Sequence, residues 1–210
     1  MNMRTIGIVI AAIVVIGGGY VGWRILQLKR AAVKWDGPVE GIASEKIVKG
    51  ADAFDVELTT IINAPADAVY ESFLHPERSE GMVKEIRQAK VLSGDDKKKT
   101  VLFQILALDQ VQTLTVDLTY DAAGKRIGIK TVEGSASIDG AYQLTPSPGD
   151  GKKTLVTYTA KQSIPLPLPE GVLKGAIKEQ FVNLMNAIRK DLTQQGKMTA
   201  SVRSVLRAAA

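Results

Sequence analysis

The chain has no cysteine and a single histidine, His75, among 210 residues. The first absence removes disulfides, thiolate metal ligands and cysteine nucleophiles, while leaving the redox compartment open. The second removes any histidine-rich metal centre and gives a Ser/His/Asp arrangement only one imidazole to use. Aromatic residues are also sparse, at 5%. They do not interleave with basic residues as nucleic-acid surfaces require, so no nucleic-acid partner is expected. Neither a metal nor a cofactor is called for by any motif. With 45% hydrophobic content the chain is long enough for one packed core plus appendages.

The formal charge of +5 is unevenly placed. Residues 1–51 hold seven Lys/Arg against three Asp/Glu, residues 196–210 hold three basic residues and no acidic one, and residues 52–195 hold 17 basic against 19 acidic. The excess therefore sits at the two ends, which suits anionic lipid headgroups better than a nucleic-acid groove. Residues 5–23, TIGIVIAAIVVIGGGYVGW, form an uncharged run of 19. As a helix rising about 1.5 Å per residue it would span the hydrocarbon of a bilayer. Tyr20 and Trp23 fit an interfacial aromatic belt, and no A-x-A cleavage site follows promptly, so an uncleaved N-terminal membrane anchor over residues 1–23 is expected in place of a signal peptide. Arg24, Lys29, Arg30 and Lys34 follow the run, and by the positive-inside rule they favour a cytoplasmic domain on a single-pass membrane protein, opposite to what a signal-anchor would do. Residues 24–51 read as a juxtamembrane linker.

From Phe54 the pattern has period two: Phe54, Val56, Leu58, Thr60 and Ile62 predict a strand. Pro65 then suits the start of a helix carrying Ala66, Val69, Tyr70 and Phe73 on one face, and a second short helix is predicted over residues 77–85. Six strand-like runs follow at 86–92, 98–108, 110–120, 126–132, 135–145 and 153–164, separated by Gly-, Asp- and Pro-rich turns. Leu114, Val116, Leu118 and Tyr120 alternate with Thr113, Thr115, Asp117 and Thr119, so one sheet face needs covering. The cover is a helix: Leu173, Ile177, Phe181, Leu184, Met185, Ile188 and Leu192 recur at helical spacing, with a stop predicted at Gly196. The stretch SIPLPLPEG ahead of it places Pro165, Pro167 and Pro169 at alternate positions. Each proline fixes φ and removes a donor, so this segment reads as an extended, non-pairing entry to the helix, not as a PxxP ligand. The tail over residues 196–210 reads as basic and unstructured, or as an amphipathic helix lying on the membrane.

The stretch IINAPADAVYESFL (residues 61–74), the stretch GAYQLTP (residues 140–146) and Pro167-Leu168-Pro169 ahead of the long helix resemble the START-like, polyketide cyclase and lipid transport superfamily (SRPBCC). The resemblance covers about residues 54–195 and rests more on element order than on identity. It implies an α+β helix-grip domain over residues 52–195, a curved antiparallel sheet of about seven strands around a long C-terminal helix, joined here to an N-terminal transmembrane helix. It also implies an apolar cavity for a hydrophobic small molecule such as a lipid, sterol or quinone. The residues expected to line it are Tyr70, Phe73, Phe103, Val116, Tyr142, Tyr158, Phe181, Leu184 and Met185, each of which would otherwise be ordinary core.

Enzyme chemistry has less to stand on. His75 lies in a loop beside Pro76, Asp117 and Glu57 alternate with the polar residues of their strands, and Lys97-Lys98-Lys99 follows an Asp-Asp turn, so no catalytic residue is assigned. Binding or transport of a hydrophobic ligand at the membrane is the expectation. The alternatives are a cyclase- or hydrolase-type enzyme using the same cavity, and a protein-docking domain whose partner the sequence does not name.

Overall fold

The structure, a computed structural model, describes residues 35, 41–107 and 110–208. The apolar run at residues 5–23, read above as a membrane anchor, lies outside them; among the described residues no helix is long and apolar enough to cross a membrane.

Eight strands form one antiparallel sheet: β1 (Ser44–Lys49), β2 (Phe54–Ile62), β3 (Ile86–Gly94), β4 (Lys98–Ala107), β5 (Gln110–Asp121), β6 (Arg126–Gly134), β7 (Ser137–Pro146) and β8 (Thr154–Ser163). Their spatial order is β1-β2-β8-β7-β6-β5-β4-β3, so β3 to β8 form a meander and the N-terminal hairpin adds to its far edge through β2. Short polar turns allow this. Asp95, for example, accepts hydrogen bonds on Oδ1 from the backbone N–H groups of Lys97 and Lys98, at 2.8 and 3.0 Å, and so closes the β3–β4 hairpin. Helix α1 (Ala66–Phe73) follows β2, and a single 3₁₀ turn, Pro76–Ser79, leads towards β3. The long helix α2 spans Glu170–Ala208.

The period-two face of β5 is buried as its alternation requires, with Leu114, Val116, Leu118 and Tyr120 all in the core. Opposite it, α2 buries Leu173, Ile177, Phe181, Met185 and Ile188. Each such side chain contributes about 2 kcal/mol of apolar burial. The helix makes its close backbone approaches to α1 and β2, and α1 in turn rests on β7. Helix and sheet are thus in closest contact at the β2 side.

The proline stretch behaves as its chemistry demands. The N–H of Leu166 donates to Ile164 O at 2.9 Å and that of Leu168 to Leu166 O at 2.8 Å, so the segment folds on itself in successive three-residue turns and pairs with no strand. Its prolines are exposed, and Ile164, Leu166 and Leu168 pack against the core. Pro169 then offers its carbonyl to the N–H groups of Val172 and Leu173, and α2 begins.

Three expectations are corrected. The sheet has eight strands, not about seven, because β1 occupies part of the stretch read as linker. The helix predicted over residues 77–85 is only the 3₁₀ turn, since Gly81 takes φ 78°, a left-handed value that ends helical continuation. Helix α2 does not stop at Gly196 but continues to Ala208. A glycine inside a helix costs about 1 kcal/mol relative to alanine, too little to end a helix in which Gln194, Gln195, Lys197 and Met198 are good helix formers.

Candidate ligand cavity

Between α2 and the concave face of the sheet lies a cavity of about 510 Å³. Strands β4 to β8 give it Phe103, Leu114, Val116, Ile127, Tyr142 and Tyr158; α2 gives Leu173, Ile177, Phe181, Leu184 and Ile188. One end is bounded by Ile164, Pro165 and Leu166 of the proline stretch, the other by α1 and the 3₁₀ turn through Phe73, Pro76 and Met82. Small side chains keep it hollow, because α2 carries Ala176 and Ala187 on the stripe that also carries Leu184. A space of this size with mostly apolar walls is typical of small-molecule sites.

Of the nine side chains expected on the wall, Phe73, Phe103, Val116, Tyr142, Tyr158, Phe181 and Leu184 lie there. Tyr70 and Met185 do not. Met185 is wholly enclosed in the core, and Tyr70 is buried under Lys125, whose Nζ stands 5.1 Å from the ring centroid. Helical periodicity identified the correct face for both, but periodicity does not say how deep a side chain on that face is covered.

Four rings cross the cavity in sequence. Phe73 and Tyr142 have centroids 5.0 Å apart, Tyr142 and Tyr158 are stacked at 4.6 Å, and Tyr158 and Phe181 at 6.1 Å. The central pair is set by register, since Tyr142 of β7 and Tyr158 of β8 are direct cross-strand partners. Their residues are only 8% and 5% exposed, yet neither hydroxyl has a hydrogen-bond partner among the described residues. Tyr120 differs: its hydroxyl donates to Phe73 O at 3.1 Å.

Burial pushes the phenols of Tyr120, Tyr142 and Tyr158 above their ordinary value of 10.0, with Glu77 adding to the effect at Tyr120 and Tyr158 adding to it at Tyr142. The native state thus holds these protons more tightly than the unfolded chain does. Stability should be complete below about pH 10 and fall as pH rises beyond it. In an alkaline spectrophotometric titration these three tyrosines are expected to ionise together with unfolding; ionisation near pH 10 in a chain that remains folded would contradict their burial.

Polar groups missed by the sequence reading collect at the α1 end. Ser72 donates to Oδ2 of the buried Asp191 at 2.9 Å, and Arg78 reaches the same oxygen at 3.7 Å, which ties α2 to α1 and the 3₁₀ turn. Asp191 falls on the helical stripe of Ile177, Leu184 and Ile188, a signal the sequence did contain. Glu85 also lines the cavity, and its buried Oε2 has no hydrogen-bond partner among the described residues. His75 stands at the margin, 3.4 Å from Glu71 and 3.0 Å from Glu77. Asp117 is outside the cavity, accepting from Thr100 at 2.7 Å and pairing with Lys98 at 2.8 Å, and these two neighbours hold its carboxyl below the usual range.

No protein-family model and no curated protein matches the sequence. Solved structures do match. The chain is similar to a protein from Thermus thermophilus at 18% identity and a TM-score of 0.59, covering 67% of this chain and 98% of that one. It is similar to the Zhui aromatase/cyclase from Streptomyces sp. R1128 at 16% identity and a TM-score of 0.59, over 67% of this chain and 94% of that one. A START superfamily protein from Mycobacterium smegmatis gives 16% identity and a TM-score of 0.58, over 67% and 98%. At such identities the likeness is one of fold, and with the curved antiparallel sheet clasping a long C-terminal helix over a cavity it establishes that this chain has the START-like (SRPBCC) helix-grip fold.

Proposed function

We propose that the protein binds and carries, or senses, a hydrophobic small molecule in this cavity and that its N-terminal apolar run tethers it to a membrane. The cavity carries the reading: about 510 Å³ of space walled mainly by aliphatic and aromatic side chains, in a fold that could have packed it shut. The uncharged run at residues 5–23 and the basic residues after it support the tether, with the domain on the cytoplasmic side.

The test is extraction of the purified full chain with organic solvent, before and after reloading with lipid extract, followed by mass spectrometry. An apolar species in near-stoichiometric amount is expected. Its absence from both samples would overturn the carrier reading, while a fusion-reporter topology assay separately tests the tether.

Cyclase-type catalysis is the second reading, favoured by the likeness to an aromatase/cyclase and by the two tyrosines on the cavity wall. It is the weaker one, because a general base must reach the substrate, and His75 is engaged with Glu71 and Glu77 at the margin.

A further inference from the structure

Tyr142 and Tyr158 are buried as residues, yet neither hydroxyl is a wholly enclosed atom, so the small part of each side chain left accessible can meet a molecule held in the cavity. Tyr142 and Tyr158 are more than nine-tenths buried, lie on the cavity wall and have no hydrogen-bond partner among the described residues. As stacked cross-strand partners with rings inclined by only 22°, they present their hydroxyls on the same side of the sheet. Side by side, two O–H donors match the two lone pairs of one carbonyl oxygen.

The charged groups of the wall narrow the choice further. Among the described residues, three carboxylates border the cavity, those of Glu85, Glu179 and Asp191. Against them stand one guanidinium, Arg78, already paired with Asp191, and the imidazole of His75, held between Glu71 and Glu77. The buried Oε2 of Glu85 lacks a hydrogen-bond donor among the described residues. An anionic headgroup would enter this surplus of negative charge without an uncommitted cation to meet it, which is unfavourable in a low-dielectric space.

We infer that the hydroxyls of Tyr142 and Tyr158 form the recognition point of the cavity and select an uncharged apolar molecule bearing a carbonyl-type acceptor oxygen, in preference to a hydrocarbon or a fatty acid. This rests on the proposal that the cavity carries a ligand. Flanking rings add to the selection: Phe73 beside Tyr142 and Phe181 beside Tyr158 extend the aromatic surface, which favours a flat ring system.

The experiment is equilibrium dialysis of the full chain against three probes, 2-methyl-1,4-naphthoquinone, 2-methylnaphthalene and dodecanoate. The quinone is expected to bind about fivefold or more tightly than its hydrocarbon analogue, as one or two net hydrogen bonds allow. Dodecanoate should bind more weakly than either. Tyr142→Phe and Tyr158→Phe, which remove no hydrogen bond of the unliganded protein, should each erase most of the quinone preference and leave 2-methylnaphthalene within about twofold. Equal affinity for quinone and hydrocarbon, a preference that survives in the double Phe variant, or dodecanoate as the tightest probe would each overturn the inference while leaving the carrier proposal standing. Failure of all three probes to bind would overturn the inference, and the extraction experiment above would then decide the carrier proposal. The wild-type comparison of probes decides the matter even if a Phe variant does not fold.

Discussion

Gly140→Val is expected to lower the thermal midpoint by about 10 °C, the response of a domain this size to about 3 kcal/mol. Gly140 lies in β7, opposite Ala160 of β8 and one inward position before Tyr142. A Cβ built there would meet Ala160 Cβ at 2.5 Å and Ala160 Cα at 2.7 Å, and would also press on the carbonyl oxygen of Thr159. Two of those three obstacles are backbone atoms, so no side-chain rotation relieves the clash, and β7 must move away from β8. That displacement acts on the next inward pair, Tyr142 and Tyr158, so loss of the quinone preference should accompany loss of stability. Gly175→Ala supplies the opposite sign. Gly175 is inside α2 with nothing within 4 Å of the added methyl, so alanine should raise the midpoint by about 2–4 °C through helix propensity. Equal midpoints for Gly140→Val and the wild type would refute the close approach of the two strands.

The glycine also marks the limit of what the sequence discloses. Alternation in residues 54–62 and 113–120 located β2 and β5 and their inward faces, because a half-buried strand must alternate. The helical stripe from Leu173 to Leu192 and the proline entry located α2. By contrast, Asp139-Gly140 reads locally as a turn dipeptide, yet it lies inside β7, and only the approach of Ala160 from the neighbouring strand gives the glycine a purpose. Strand β1 was hidden for a related reason. As an edge strand whose side chains are nearly all exposed, SEKIVK has no buried face to impose a hydrophobic period. Partners hide similarly: the apolar stripe marks Asp191 as inward-facing, but nothing local names Ser72, 119 positions earlier, as the donor of its hydrogen bond.

Hollowness itself is the least legible property. Leu184, Phe181 and Met185 share one helix face and one chemical character, yet Leu184 and Phe181 border the cavity while Met185 is enclosed by core. What separates them is the curvature of the sheet, which depends on how every strand pairs with its neighbours. Sequence periodicity carries the direction of a side chain, not the distance to whatever faces it.

That distance can be tested by filling it. Leu184→Trp is expected to abolish binding of apolar probes, with an affinity loss of about a hundredfold, while the unliganded protein keeps or slightly raises its thermal midpoint. Leu184 is half-buried and faces the cavity, so an indole at this position can extend into empty space where a ligand would lie. Excluding part of the ligand from its apolar contacts removes about 3 kcal/mol of burial, or two decades in affinity. In a well-packed core the same substitution would be overpacked and destabilising by about 1–3 kcal/mol. The thermal response to ligand provides a second reading: a ligand at a hundred times its Kd stabilises the wild type by about 2.7 kcal/mol, and that shift should vanish in the variant. Leu184→Ala, which enlarges the cavity, should retain binding, and because one side of Leu184 already lacks packing partners its cost should fall below the usual 2–5 kcal/mol or so for a core leucine. A Leu184→Trp protein that stays folded and binds the probe with undiminished affinity would place the ligand somewhere other than beneath α2.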